Sequence, residues 1–130
     1  MDLEKYDVQM ERAAEVDLLG ILDYISEVLQ EPGIAERIYF SIKDKIATLD
    51  EMPLRNGLVQ EEPFRSKGIR PLYIKNYTAF YTVDESKCEV HILRILYSHM
   101  QWQDRLSLGL TRNGLTLSST HKTNPRRPPE

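Results

Sequence analysis

One cysteine, Cys88, stands in 130 residues, which excludes an internal disulfide and a cysteine-rich zinc cluster. No apolar run approaches the roughly 20 residues needed to cross a bilayer. The opening MDLEKYDVQMERAAEVD has neither the basic start nor the apolar centre of a secretion signal. A cytoplasmic protein without membrane contact is therefore expected, with Cys88 packed as a small buried hydrophobe. An overall basic excess is lacking too. The net charge is −3, whereas chains that grip RNA phosphates usually carry a positive surplus, because counterion release supplies most of the affinity. The deficit is uneven: residues 1–63 hold 6 Lys/Arg and 15 Asp/Glu, a net −9, while residues 64–108 and 109–130 each carry a net +3. Contact with nucleic acid is expected only from the second half.

What is present suffices for a single domain, since 41% of the residues are hydrophobic and a chain of this size buries a core without staples. Lys5 to Met10 alternates Tyr6, Val8 and Met10 with polar neighbours, a short strand. From Ala13 to Leu29, Ala14, Leu18, Ile21, Leu22, Ile25 and Leu29 recur at helical spacing, with Asp17, Asp23 and Glu27 on the wet side. Pro32 suits the first turn of a second helix, whose stripe is Ile34, Ile38, Ile42, Ile46 and Leu49 and whose end is marked by Pro53. The short connection makes the two helices an antiparallel hairpin. The stretch LRNGLVQEEPFRSKG reads as loop. Arg70–Lys75, Tyr77–Val83 and Cys88–Tyr97 then form three antiparallel strands joined by tight turns.

In the last of these strands, Val90, Ile92 and Leu96 are expected on one face and Leu93, Ile95 and Tyr97 on the other, so it should be central. Arg94 is placed with Val90 and Ile92, where a buried arginine needs a partner such as Glu15 or Asp17. The Tyr77, Tyr81 and Val83 face is expected in the core. Trp102 to Leu108 closes the domain with a helical turn. The expected domain is residues 1–108, and residues 109–130, rich in Thr, Ser, Asn, Pro and Arg, read as a disordered tail or as a segment that docks on the domain or on a partner through Arg126 and Arg127. The whole is an α+β domain with its helices gathered on one side of a sheet.

Particular residues sharpen this outline. The opening YDVQMERAAEVDLLGILDYISE, through Ala14, Asp17, Leu18, Ile21, Tyr24 and Ile25, resembles the ParE branch of the RelE/ParE toxin superfamily. Ala35, Ile46, Leu49 and Pro53 fit the same pattern. The stretch from Gly68 to Leu106 resembles it again, with Arg70 before a strand, an aromatic hairpin of Tyr77, Phe80 and Tyr81, then Val90, Ile92, Arg94, Leu96 and Tyr97 ahead of Trp102. The resemblance covers about Tyr6 to Leu106. It implies the toxin of a bacterial type II toxin–antitoxin pair, active in growth inhibition and plasmid stabilisation. The implied partner is a small antitoxin that docks on exposed apolar residues of the helical hairpin, with promoter DNA bound only through the complex.

Two mechanisms follow from the resemblance. The favoured one is the ParE activity, in which the protein binds DNA gyrase without being an enzyme. The alternative is a metal-independent, ribosome-dependent mRNA endonuclease resembling RelE. Cleavage by a 2′-hydroxyl needs a base, a cation at the phosphate and an acid for the leaving oxygen. His99 is the candidate acid or base, Arg70 the phosphate clamp and Tyr97 the stacking or proton-donating group. Lys67, Lys75 and Trp102 are the candidate contacts to RNA or target. Each has a structural reading beside it: His99 as a surface residue, Arg70 as an anchor for the sheet edge or the long loop. The sequence departs from the RNase branch at Thr78, where that branch has arginine, at Pro71 and Tyr73 in place of lysines, and at His99, Met100 and Gln101 in place of Arg-Arg-Asp. His91 has no ligand pattern around it, and no metal or other cofactor is expected.

Overall fold

A computed structural model describes residues 5–99 and 102–109. Strand β1 (Asp7–Met10) leads into helix α1 (Arg12–Asp23). Helix α1 does not run on as α-helix to Leu29. At Tyr24–Val28 the winding loosens to a π-helical turn, in which the Leu29 amide reaches back to the Tyr24 carbonyl at 3.0 Å. Gln30, at φ 55, stops it. Helix α2 (Pro32–Ala47) opens with Pro32 in its first turn, where the missing N–H has no intrahelical partner to lose. Its buried stripe is Ala35, Ile42, Ile46 and then Leu49. Ile34, expected at the start of that stripe, is 38% exposed, and Ala35 takes the inward place in the first turn.

Strands β2 (Arg70–Ile74), β3 (Tyr77–Asp84) and β4 (Glu89–Tyr97) form the expected meander. Lys75, at φ 54, makes the first turn. Strand β1 adds to β4 in parallel, and the sheet order is β1-β4-β3-β2, with β4 central among its neighbours. Cys88 is not a core residue. It sits half-buried in the β3–β4 turn at φ 53, a position set by backbone geometry rather than by packing.

The strict alternation expected along β4 fails at one residue. Phe80 pairs with Arg94 but Tyr81 pairs with Ile92, so Leu93 is an extra residue, a β-bulge. Beyond it the faces switch. Ile95 and Tyr97, opposite Ala79 and Tyr77, join Val90 and Ile92 on the face under α1 and α2, while Arg94 and Leu96 turn to the other face. Arg94 therefore does not share a face with Val90 and Ile92. A one-residue insertion reverses every side chain after it because the strand period is two.

The helical face of the sheet carries Ala14, Leu18, Ile42, Ile46 and Leu49 packed on Leu72, Ile74, Tyr77, Ala79, Tyr81, Val90, Ile92 and Ile95. The opposite face has its own core of Val59, Phe64, Ile69, Phe80, Leu96 and Leu106. The segment expected as plain loop supplies two of those side chains, Val59 and Phe64, and Ile69 follows directly after it. Helix α3 (Trp102–Gly109) supplies Leu106, so the helices are not all on one side. Trp102 stacks on Phe80 with ring centroids 4.9 Å apart and tilts against Phe64 at 5.6 Å. Of residues 109–130, read as a tail, Gly109 ends α3 and residues 110–130 lie outside the described residues.

Asp17 ties the layers together. Strand β1 pairs only as far as Ile92, so the β4 amides beyond it need another acceptor. The Ile95 N–H donates to Asp17 Oδ2 at 2.9 Å, and Arg94 donates to both carboxylate oxygens at 2.7 and 2.8 Å. Arg94 also donates to the Arg105 carbonyl of α3 at 2.6 Å. Burial pushes the Asp17 carboxyl up from its ordinary value, and the Arg94 guanidinium and the Ile95 amide pull against it. The expected arginine–aspartate partnership is thus present, and it joins α1, β4 and α3.

Candidate functional site

Two regions carry the residues of interest. The first lies on the outer side of the helical hairpin. Leu18, Ile21 and Ile25 take the inward stripe of α1, which leaves Val16 and Leu19 pointing outward. They border an open groove of about 700 Å³ between α1 and α2, together with Gly20, Leu22 and Ser26 from the first arm and Ala35 and Tyr39 from the second. Asp23 and Glu36 are its charged members. Leu19 is 66% exposed and Val16 43%. Large apolar side chains clustered in an open groove mark a protein-binding surface rather than a small-molecule site. Their signal in the sequence was slight: Val16 and Leu19 are the apolar residues of α1 left over once the core stripe is assigned.

The second region is the meander. Tyr97 ends β4, its ring edge-on to Tyr77 at 5.9 Å and to exposed His99 at 5.3 Å. Lys75, also exposed, is close by in the fold, since the Ser98 amide donates to the Asn76 carbonyl at 2.8 Å. Arg70 is not with them. It pairs with Tyr81 whereas Tyr97 pairs with Tyr77, a separation of roughly 13 Å along the strands and about 10 Å across them. Its guanidinium donates to the Asn56 carbonyl. The Asn56 amide donates to the Tyr81 hydroxyl at 3.2 Å, and that hydroxyl donates to the Pro53 carbonyl at 2.7 Å. Burial pushes the Tyr81 phenol up. Arg70 thus pins the segment after α2 to the sheet.

The remaining candidates are spread out. Lys67 is exposed beside the second core, at the end of the loop segment. Trp102 has its ring faces against Phe80 and Phe64. Thr78 is buried and shares a 2.8 Å hydrogen bond with the Ser98 hydroxyl. His91 lies between two carboxylates, Nδ1 2.8 Å from Glu11 and Nε2 3.0 Å from Glu89. With its two ring nitrogens turned to different carboxylates, it does not gather them around one point. Among the described residues no group of three His, Cys, Asp or Glu side chains fits a metal ion, and no helix is long and apolar enough to cross a membrane.

A parallel N-terminal strand, a helical hairpin and a three-stranded meander in the order β1-β4-β3-β2 define the RelE/ParE-like class of fold. Within that class the chain belongs to the ParE toxin family: a family model described as the ParE toxin of type II toxin–antitoxin systems, parDE, matches residues 8–102. Among solved structures it is similar to a chain of the chromosomal ParDE toxin–antitoxin system of P. aeruginosa, at 26% identity and a TM-score of 0.59, covering 70% of this chain and 94% of that one. A chain of the toxin–antitoxin complex RelBE2 from Mycobacterium tuberculosis is 21% identical with a TM-score of 0.53, over 74% of this chain and 94% of that one, a likeness of fold. No curated protein matches the sequence significantly.

Proposed function

We propose that this protein inhibits bacterial growth by binding DNA gyrase, the activity that the resemblance to the ParE branch implies, and that a small antitoxin holds it in check by laying an apolar segment into the α1–α2 groove. The observation that carries the choice of mechanism is the separation of Arg70 from Tyr97 and His99. An RNase of this superfamily needs its phosphate clamp and its proton-transfer groups around one phosphate. Here the arginine lies at the far end of the sheet and is committed to the Asn56 carbonyl, and Thr78 fills the place of a second cation with a buried hydroxyl.

The antitoxin reading rests on the groove. Its exposed leucine and valine side chains, with the Tyr39 ring beside them, suit an amphipathic segment that folds on binding. Promoter DNA then falls to the complex, because the acidic first half of this chain repels phosphate. The test is induced expression in a bacterium, with the DNA-damage response and transcript integrity read in parallel. Arrest with a damage response and intact transcripts is the expected result. Arrest with transcripts cut on the ribosome, abolished by His99→Ala, would establish the endonuclease instead, with His99 and Tyr97 as its catalytic pair and Lys75 and Lys67 as backbone contacts.

A further inference from the structure

We propose that the α1–α2 groove reads the charge of the segment it holds as well as its apolar face, and that it selects an amphipathic helix carrying Lys or Arg about one turn from its central Leu, Ile or Val. The proposal rests on the reading of the groove as the antitoxin's seat, and it names which antitoxins that seat accepts. Three observations carry it. The first is where the acids lie. The arms of the hairpin run antiparallel, so Asp23 at the end of α1 and Glu36 near the start of α2 border the groove at the same end, beside the connection at residues 29–31. Glu36 is exposed, and among the described residues no ion pair engages it.

The second is the apolar middle, where Val16 and Leu19 stand exposed and Tyr39 faces them from α2. The third is the cation beyond it. Lys43 lies over the Tyr39 ring at 5.4 Å from its centroid and donates to its hydroxyl at 3.4 Å. Seven residues separate it from Glu36, about 10 Å along the helix. The surface is therefore polarised, with carboxylates at the connection end and a lysine at the other. A helix that seats its apolar residue on Val16 and Leu19 brings its flanking side chains against those carboxylates. Lys or Arg there is attracted and Asp or Glu is repelled. Each exposed pair is weak alone, but specificity is the difference between the two cases.

Labelled peptides test this on the full chain by fluorescence anisotropy. Three peptides, locked helical by a lactam bridge, share a central leucine pair and carry the same residue one turn to either side of it: Arg in one, Gln in the second, Glu in the third. The symmetric design makes the outcome independent of which way a peptide lies. At low ionic strength the Arg peptide should bind about fivefold tighter than the Glu peptide, with Gln between them, and strong salt should bring the three together. Glu36→Lys, a surface change whose intact fold thermal unfolding checks, should reverse the order. Equal affinities, an order that Glu36→Lys leaves as it was, or no binding of any peptide overturns the proposal. The antitoxin reading is scored apart, by capture of co-expressed antitoxin on Leu19→Asp. Charge-blind peptides with capture lost defeat the charge selection alone, whereas a preference for Arg with capture intact supports the selection and defeats the groove as the antitoxin's seat.

Discussion

The outer side of the helical hairpin and the open end of the meander are both exposed, yet they are built differently. The hairpin gathers apolar side chains from two helices around one groove, with Leu19 66% exposed and held there by a helix whose other stripe is locked in the core. The meander end sets Tyr97 and His99 side by side but leaves Arg70 across the sheet. A binding surface needs only contiguous shape and apolar area, which two helices supply. A catalytic site needs several groups within about 3 Å of a common point, and the register of β2 on β3 withholds one of them. Among the described residues, the hairpin side carries a contiguous apolar surface, whereas the meander end keeps Arg70 apart from Tyr97 and His99.

The largest effect should come from the brace between the two regions. Arg94→Ala leaves the Asp17 carboxylate buried without its guanidinium and takes away the donor to the Arg105 carbonyl of α3. A loss of about 3–5 kcal/mol in denaturant unfolding is expected, and a loss below about 1 kcal/mol would mean the brace is ornamental. Next comes Trp102→Ala, which removes the stack on Phe80 and Phe64 and should lower stability by about 3 kcal/mol. If Trp102 instead serves the target, activity will fall while the unfolding midpoint stays put.

Leu19→Asp sharpens the comparison itself. It should leave stability within about 0.5 kcal/mol and weaken binding of the antitoxin by roughly 100-fold, the effect of losing a central interface residue, so that co-expressed antitoxin no longer rescues growth. Normal rescue would move the docking surface elsewhere. His99→Ala should change neither arrest nor stability, and arrest that disappears would restore the meander as a catalytic site.

The smallest effect is a pH dependence at the β3–β4 turn. The Asp84 carboxyl is held below its ordinary value, first by the Ser86 hydroxyl and then by the Lys87 amide. A lowered folded pKa stabilises above the unfolded value of about 3.8, and that contribution is lost as pH falls through the folded value. Asp84→Asn should flatten this slight acid-side slope in a thermal unfolding series, and an unchanged slope would assign it to another carboxylate.

Much of this arrangement is legible in the residues. The period of α1, the proline at the start of α2 and the tight turns of the meander specify their elements locally, and a both-sides-apolar β4 announces a central strand. The pairing of Arg94 with Asp17 follows from the rule that a buried charge needs a partner. Other features have no local signature. The bulge at Leu93 lies in a run, ILRILY, in which either face could be apolar, so alternation cannot mark it. Val59, Phe64 and Ile69 are spaced without period, and they form a core only because α3 and the bulged strand meet them from elsewhere. The separation of Arg70 from Tyr97 depends on register, which no single strand encodes.

The most direct test of the account adds the purified full-length chain to DNA gyrase and supercoiled plasmid, and separately to ribosomes translating a defined mRNA. The account predicts linear, gyrase-cleaved plasmid and an intact message. An undamaged plasmid beside mRNA cut on the ribosome would contradict it, and would show that Tyr97 and His99 work without the arginine at the other end of the sheet.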